Sequence, residues 1–198
     1  MTRNPDNCPG LYRSIVQPTP FGPVALVWSG SGGSVRIERV LISRPGVSAI
    51  DEVLRLCPGT GSSACPEIDS VSASVNAFLG GDDVRFPLEM LNFKRCTPFQ
   101  EAVLRLEHGI PRGKVSTYQL LARRAGNEKA ARAAGNALAR NPFPILIPCH
   151  RAIRSDCTLG GFQGGPAMKR ALLEMEGIGF GRTGRVICTG FHYGKKIP

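Results

Sequence analysis

The residues of greatest chemical promise stand at Ile147-Pro148-Cys149-His150-Arg151, directly after the apolar run Ile145-Leu146-Ile147. That placement puts Cys149 at the end of a buried segment, beside a base and a cation. A cysteine attacks as its thiolate, and His150 or Arg151 close by would lower its pKa and enlarge the thiolate fraction. A Cys-His dipeptide also arises by chance, and on those two residues alone an inert buried cysteine is the better reading. The chain carries seven cysteines, Cys8, Cys57, Cys65, Cys96, Cys149, Cys157 and Cys188. Their odd number and scattered spacing suit free thiols of a reducing compartment better than a secreted disulfide framework. Cys8, Cys57 and Cys65 form no recognisable ligand set, so no metal is expected.

The segments that must hold this cysteine read differently in the two halves of the chain. In the first half, Pro20-Phe21-Gly22-Pro23 is a turn, Val24–Trp28 suits a buried strand, and Val35–Ile42 alternates as a half-buried strand should. Together they predict a hairpin. Pro58–Cys65 reads as a loop, and Ile68–Leu79 has helical spacing ended by Gly80-Gly81. In the second half, Pro98 opens a helix running to about Glu107, and Ile110–Gly113 is a turn. Thr117–Ala125 predicts a short helix capped by Ser116 or Thr117, Gly126-Asn127 a tight turn, and Glu128–Ala139 a second helix. Two short helices joined by a glycine turn are a helix-turn-helix signal, although many helical hairpins share it. The second helix has almost no bulk (Ala130, Ala131, Ala133, Ala134, Gly135, Ala137), and Arg132 stands out from it. Such a face serves either tight packing on a neighbour or entry into a narrow groove.

Length and composition set outer limits. A chain of 198 residues allows one large or two small domains, and the boundary falls near Leu91–Cys96, giving expected domains 1–91 and 92–198. The net charge of +10, from 25 Lys+Arg against 15 Asp+Glu, favours an anionic partner, nucleic acid first. No stretch is apolar enough to span a bilayer and the first residues form no signal peptide. The expected setting is the cytoplasm, or the nucleus of a eukaryote. The basic residues after Gly181 (Arg182, Arg185, Lys195, Lys196) read as a solvated tail.

The longer run Asn141–Arg151 resembles the active-site segment of the O6-alkylguanine-DNA alkyltransferase family. The likeness extends to Thr97-Pro98-Phe99-Gln100, to Gly113–Ala122 with Ser116 and Tyr118, and to Ala131–Gly135. It continues through Gly160–Gly165 and Lys169–Glu176, and more weakly to Thr19–Trp28. It implies an α/β (α+β) fold of two domains. One is an N-terminal strand-rich, ribonuclease-H-like domain. The other is a C-terminal helical domain with a helix-turn-helix that carries DNA binding and the alkyl acceptor.

The same resemblance implies a division of labour. Cys149 accepts the alkyl group from O6-alkylguanine, and more weakly from O4-alkylthymine, irreversibly and once per chain. His150 acts as general base through a water, and Glu176 orients it. Tyr118 donates to guanine N3 as the base leaves, and Asn141 is the hinge between the recognition helix and the cysteine segment. Arg132 fills the stack vacated by a flipped base, while Gln119, Asn127 and Ser155 contact DNA. Pro144, Phe162, Gln163 and Gly164 line the pocket. No cofactor is needed, the partner is double-stranded DNA met through its minor groove, and the chain acts as a monomer. Two residues depart from the family pattern: Phe162 where tyrosine is usual, and Cys157 where a small residue is common. Cys157 lies close to Cys149 in sequence, so an oxidative side reaction is conceivable. The rival readings are a lesion-sensing relative that transfers nothing, a helix-turn-helix regulator and a cysteine hydrolase. The acceptor cysteine argues against the first. The Pro-Cys-His-Arg segment is unexplained by the second, and the basic helical pair is unneeded by the third.

Overall fold

The computed structural model describes residues 10–31 and 34–194, which divide between Asn92 and Phe93 into two units. The first unit is built on a four-stranded sheet of order β3-β2-β1-β4. Strand β1 (Leu11–Val16) pairs antiparallel with β2 (Val24–Ser29), which pairs antiparallel with β3 (Arg36–Ile42). The short β4 (Gly61–Ser62), inside the segment expected to be a loop, lies parallel to β1. Helix α1 (Ala49–Leu56) starts at Ser48, whose side chain accepts the Ile50 N–H. Its inner face, Ala49 and Val53, joins Ala25, Val27, Leu41 and Cys57 in one buried cluster. Helix α2 (Pro66–Gly80) is ended by Gly81 in the left-handed conformation (φ 110°) and buries Ile68, Val71, Val75, Phe78 and Leu79. The hairpin of β2 and β3 forms where the alternation places it. Strand β1 and helix α1 have no counterpart in the sequence reading. Arg13 and Ser14 interrupt the apolar pattern of β1, and α1 is a short helix with only two fully buried positions.

The second unit holds α3 (Pro98–His108), β5 (Ser116–Thr117), α4 (Tyr118–Arg124), α5 (Ala131–Ala139), β6 (Ala152–Ile153) and α6 (Gly165–Met175). Thr97 caps α3 through the Gln100 N–H, and Thr117 caps α4 through that of Leu120. Helix α5 begins at Ala131 rather than Glu128. The Asn127 side chain accepts the Lys129 N–H at 3.2 Å and its carbonyl accepts that of Ala130, which fixes a turn where helix was expected. The segment after Gly181 is no solvated tail. Val186 packs with Val115, Ile153, Leu173 and Ile178, and the His192 N–H donates to the Val115 carbonyl. Lys195 and Lys196 lie outside the described residues. No helix among the described residues is long and apolar enough to cross a membrane.

Leu26 is fully buried in β2, whereas Leu54 of α1 is 45% exposed. Leu26→Ala is expected to lower unfolding free energy by about 2–5 kcal/mol, and Leu54→Ala by less than about 0.5 kcal/mol, as read from urea denaturation.

Candidate functional site

Cys149 opens a single 3-10 turn, Cys149–Arg151, in which all three residues are buried. The chain reaches it through a constrained segment. The Asn141 side chain donates to the Ile147 carbonyl at 3.2 Å and accepts the Phe143 N–H at 2.9 Å. Its own N–H donates to Leu138 of α5, and its carbonyl accepts from Gln163 Nε2 at 2.7 Å. Through its side chain and its backbone, one buried asparagine thus ties the end of α5, the Cys149 segment and the Gln163 loop together. Between the ties, Ile145 holds φ at +75°. A β-branched residue there costs about 1–3 kcal/mol and persists because the surroundings over-determine it. Pro144, also buried, is bridged to Ile147 across this bend.

Behind the turn sits a buried ionic cluster. Arg151 gives Glu176 a forked contact (Nε to Oε2 at 2.9 Å, Nη2 to Oε1 at 2.7 Å) and donates through Nη1 to the Ile110 carbonyl at 2.6 Å. His150 Nε2 lies 2.9 Å from Glu176 Oε1. Burial opposes charge on Glu176, but the contacts to His150 and Arg151 win and hold it at about 2. Burial also keeps His150 below its ordinary pKa despite the carboxylate, so the ring is neutral. With Nε2–H given to Glu176, Nδ1 is the basic nitrogen.

The thiol does not behave as the dipeptide suggested. Burial pushes Cys149 up to about 12, with the Asn141 side chain and the Lys169 charge working against that rise and Glu107 adding to it. Proximity of His150 and Arg151 in sequence therefore does not lower it. The Arg151 guanidinium is directed to Glu176 and the Ile110 carbonyl and His150 Nε2 to Glu176, while Cys149 is only 4% exposed. The cation that does favour its thiolate is Lys169, which sequence reasoning placed only in a closing helix. Lys169 is fully buried on α6 and donates to the carbonyls of Ala152 (2.6 Å) and Gly161 (3.1 Å), with Tyr118 Oη at 3.5 Å. Nothing in a one-dimensional pattern marks a lysine as the buried one.

Tyr118 begins α4, and burial, reinforced by Glu107 and Cys149, lifts it to about 12, so it keeps its proton at neutral pH. Gly160 (φ +69°) lies so close beneath this ring that a Cβ would collide with Tyr118 Oη, and Gly135 of α5 faces the same ring. Phe162 meets His150 edge-on, with ring centroids 6.2 Å apart. Gly164, the buried residue before α6, completes that loop. Arg132 on α5, Gln119 on α4, Asn127 in the intervening turn and Ser155 after β6 are all exposed. Cys157 places its sulfur 3.6 Å from that of Cys188. Among the described residues no cluster of metal-ligating side chains occurs; Cys8 lies outside them, and Cys57 is buried under α1.

Removing Glu176 leaves Arg151 and His150 buried without their anion. Glu176→Gln is therefore expected to cost about 3–5 kcal/mol at neutral pH in urea denaturation. The carboxylate's folded pKa lies below its unfolded one. Its contribution is full above about 4.3 and fades as pH falls toward about 2. Neutral His150 adds loss as pH drops below the ordinary imidazole range, because only the unfolded chain then takes the proton. The variant's stability should accordingly fall less steeply in acid than that of the parent.

Residues 98–178 match the family described as 6-O-methylguanine DNA methyltransferase, DNA binding domain. A methylated-DNA–protein-cysteine methyltransferase of Methanothermobacter thermautotrophicus is 51% identical over 53% of this chain, a match spanning 58% of that relative. The protein of the same name from Homo sapiens is 33% identical over 84% of this chain and 81% of its own length. A crystal structure of Mycobacterium tuberculosis OGT in complex with DNA superposes with a TM-score of 0.63 at 29% identity, covering 84% of this chain and 91% of that one. With its cysteine, histidine and carboxylate gathered in the matching segment, the chain belongs to the methylated-DNA–protein-cysteine methyltransferase family.

Proposed function

We propose that the chain repairs alkylated DNA by moving the alkyl group of O6-alkylguanine, and more weakly of O4-alkylthymine, onto Cys149. The observation that carries this reading is the acceptor cysteine itself, set beside a neutral histidine whose far nitrogen is held by a buried carboxylate. In the reaction the Cys149 sulfur attacks the alkyl carbon, the carbon–O6 bond breaks, and the guanine leaves as an anion. The thioether formed is stable, so each chain acts once. His150 takes the thiol proton at Nδ1 through a water, and Glu176 keeps the ring in the tautomer that makes this possible. Tyr118, still protonated at neutral pH, donates to guanine N3 and quenches the developing charge. Pro144, Phe162, Gln163 and Gly164 wall the pocket, and Asn141 is the hinge.

Double-stranded DNA is the partner, in keeping with the net charge of +10 and with the relative solved in complex with DNA. Helices α4 and α5 act as a helix-turn-helix whose thin second helix enters the minor groove, only ~6 Å wide in B-DNA. The flipped base is replaced in the stack by Arg132, and Gln119, Asn127 and Ser155 meet the strands around it. The division into residues 1–91 and 92–198 assigns DNA binding and alkyl acceptance to the second domain. The order β3-β2-β1-β4 with β4 parallel supports a ribonuclease-H-like first domain. The protein works as a monomer without a cofactor, in the cytoplasm or in a nucleus.

A duplex bearing one O6-methylguanine tests the reading by intact mass. One methyl is expected per chain, on the peptide that contains Cys149, and Cys149→Ala should gain none. An unmodified parent that still binds the lesion tightly would instead identify a sensor. Arg132→Ala should slow duplex repair by about tenfold or more, because an unsupported flip costs a few kcal/mol. Its reaction with free O6-benzylguanine should be unchanged, and equal losses on both substrates would remove Arg132 from the flipping step.

A further inference from the structure

Cys157 and Cys188 have no part in the chemistry above, yet they lie side by side. Cys157, in the turn that follows β6, places its sulfur 3.6 Å from that of Cys188, 31 positions along the chain. Both residues are half-buried and pack on the cluster of Val115, Ile153, Leu173, Ile178 and Val186. The backbone holds them in register. The Arg154 N–H donates to the Thr158 carbonyl at 2.9 Å and the Cys157 N–H to the Arg154 carbonyl at 3.0 Å, which closes the turn. Asp156 stiffens it by accepting the Thr158 N–H and hydroxyl. The C-terminal segment is tied to this turn twice. The Val186 N–H donates to the Cys157 carbonyl at 2.9 Å, and Arg185 Nη1 donates to the Asp156 carbonyl at 2.9 Å. Cys157 itself holds φ at +65°, a backbone region that favours glycine, so a cysteine there calls for a reason.

Sulfurs at this separation are only about 1.5 Å further apart than a bonded pair. We propose that Cys157 and Cys188 form a redox pair, a dithiol that a small-molecule disulfide oxidises to a cystine clamping the C-terminal segment to the turn after β6. The Cys157 thiolate attacks one sulfur of the small disulfide, forms a mixed disulfide and releases one thiolate. Cys188 then loses its proton and attacks the Cys157 sulfur, expelling the second thiolate. The two departing thiolates take up the two protons. Two protein thiols are thus oxidised by two electrons, and one small disulfide is reduced to two thiols. Burial, reinforced by Cys157, pushes Cys188 up to about 11, which leaves the first attack to Cys157. The clamp has reach because the segment beyond Cys188 braces the helices. The Ser116 hydroxyl donates to the His192 carbonyl at 2.7 Å, and the His192 N–H to the Val115 carbonyl at 2.8 Å. Tyr193 Oη donates to the Leu106 carbonyl of α3 at 2.9 Å, and Arg124 of α4 lies over the Tyr193 ring. None of this depends on Cys149 accepting an alkyl group.

The test equilibrates the full chain with about 5 mM reduced and about 0.5 mM oxidised glutathione, then reads linked peptides by mass after an acid quench. Thiols that meet only through a flexible chain have an effective concentration in the mM range and stay largely reduced in this buffer. Sulfurs held in contact should be mostly oxidised. The expected product is a Cys157–Cys188 cystine in most chains, lighter by two hydrogens, with Cys149 still a thiol. Cys188→Ser should abolish it and leave at most a glutathione adduct on Cys157, and Cys188→Ala serves if the serine variant does not fold. In urea the same buffer should leave the pair reduced, because the fold alone brings the sulfurs together. The oxidised protein should melt on the order of 10 °C higher than the reduced one. Three results overturn the proposal: a dithiol that persists in this buffer, a cystine joining either residue to another cysteine, or a Cys157–Cys188 cystine that leaves the melting midpoint unchanged.

Discussion

The contact on which the rest of the second unit depends is the carboxylate of Glu176, shared by Arg151 and His150, all with side chains that are almost wholly buried. A buried guanidinium must be met by a carboxylate and by further acceptors, and here it has both Glu176 and the Ile110 carbonyl. That requirement fixes the end of α6 against the 3-10 turn. The same carboxylate sets the histidine tautomer. Packing of the turn and the state of the histidine therefore cannot be separated: any change that frees Glu176 disturbs both.

A second constraint acts along the chain. Asn141 binds the end of α5 to the Cys149 segment and to Gln163, and Ile145 is held in a backbone conformation it would not choose. Strain of this kind survives only where neighbours leave no alternative. Asn141 thereby gives α5 a direct hydrogen-bonded link to the Cys149 segment.

The thiol illustrates why neighbours in sequence are poor guides to electrostatics. His150 and Arg151 follow Cys149 directly, yet His150 Nε2 and the Arg151 guanidinium both turn to Glu176. The charge that favours the thiolate comes from Lys169 across the fold, and the charge that opposes it from Glu107. Burial, which pushes Cys149 up to about 12, keeps the sulfur a protonated thiol at neutral pH. It is held against early oxidation or adventitious alkylation, because only the thiolate reacts readily.

Much of this protein was legible in one dimension because short-range rules govern it. The β2–β3 hairpin follows from alternation, α2, α3 and α4 from their caps and glycine stops, and the acceptor from the uninterrupted run Asn141–Arg151. The exposed position of Arg132 also follows from the small residues around it. The misreadings share a cause. The start of α5 was decided by hydrogen bonds of the Asn127 turn, and the C-terminal segment by apolar packing of Val186 against distant residues. The state of Cys149 was decided by desolvation. Lys169 and Glu107 look in sequence like ordinary charged residues on amphipathic helices, and only the packing of several elements around them removes their water. Sequence determines which groups are available and which lie on one helix or strand. Burial, which sets what those groups cost and which of them carry charge, is a property of the assembled fold.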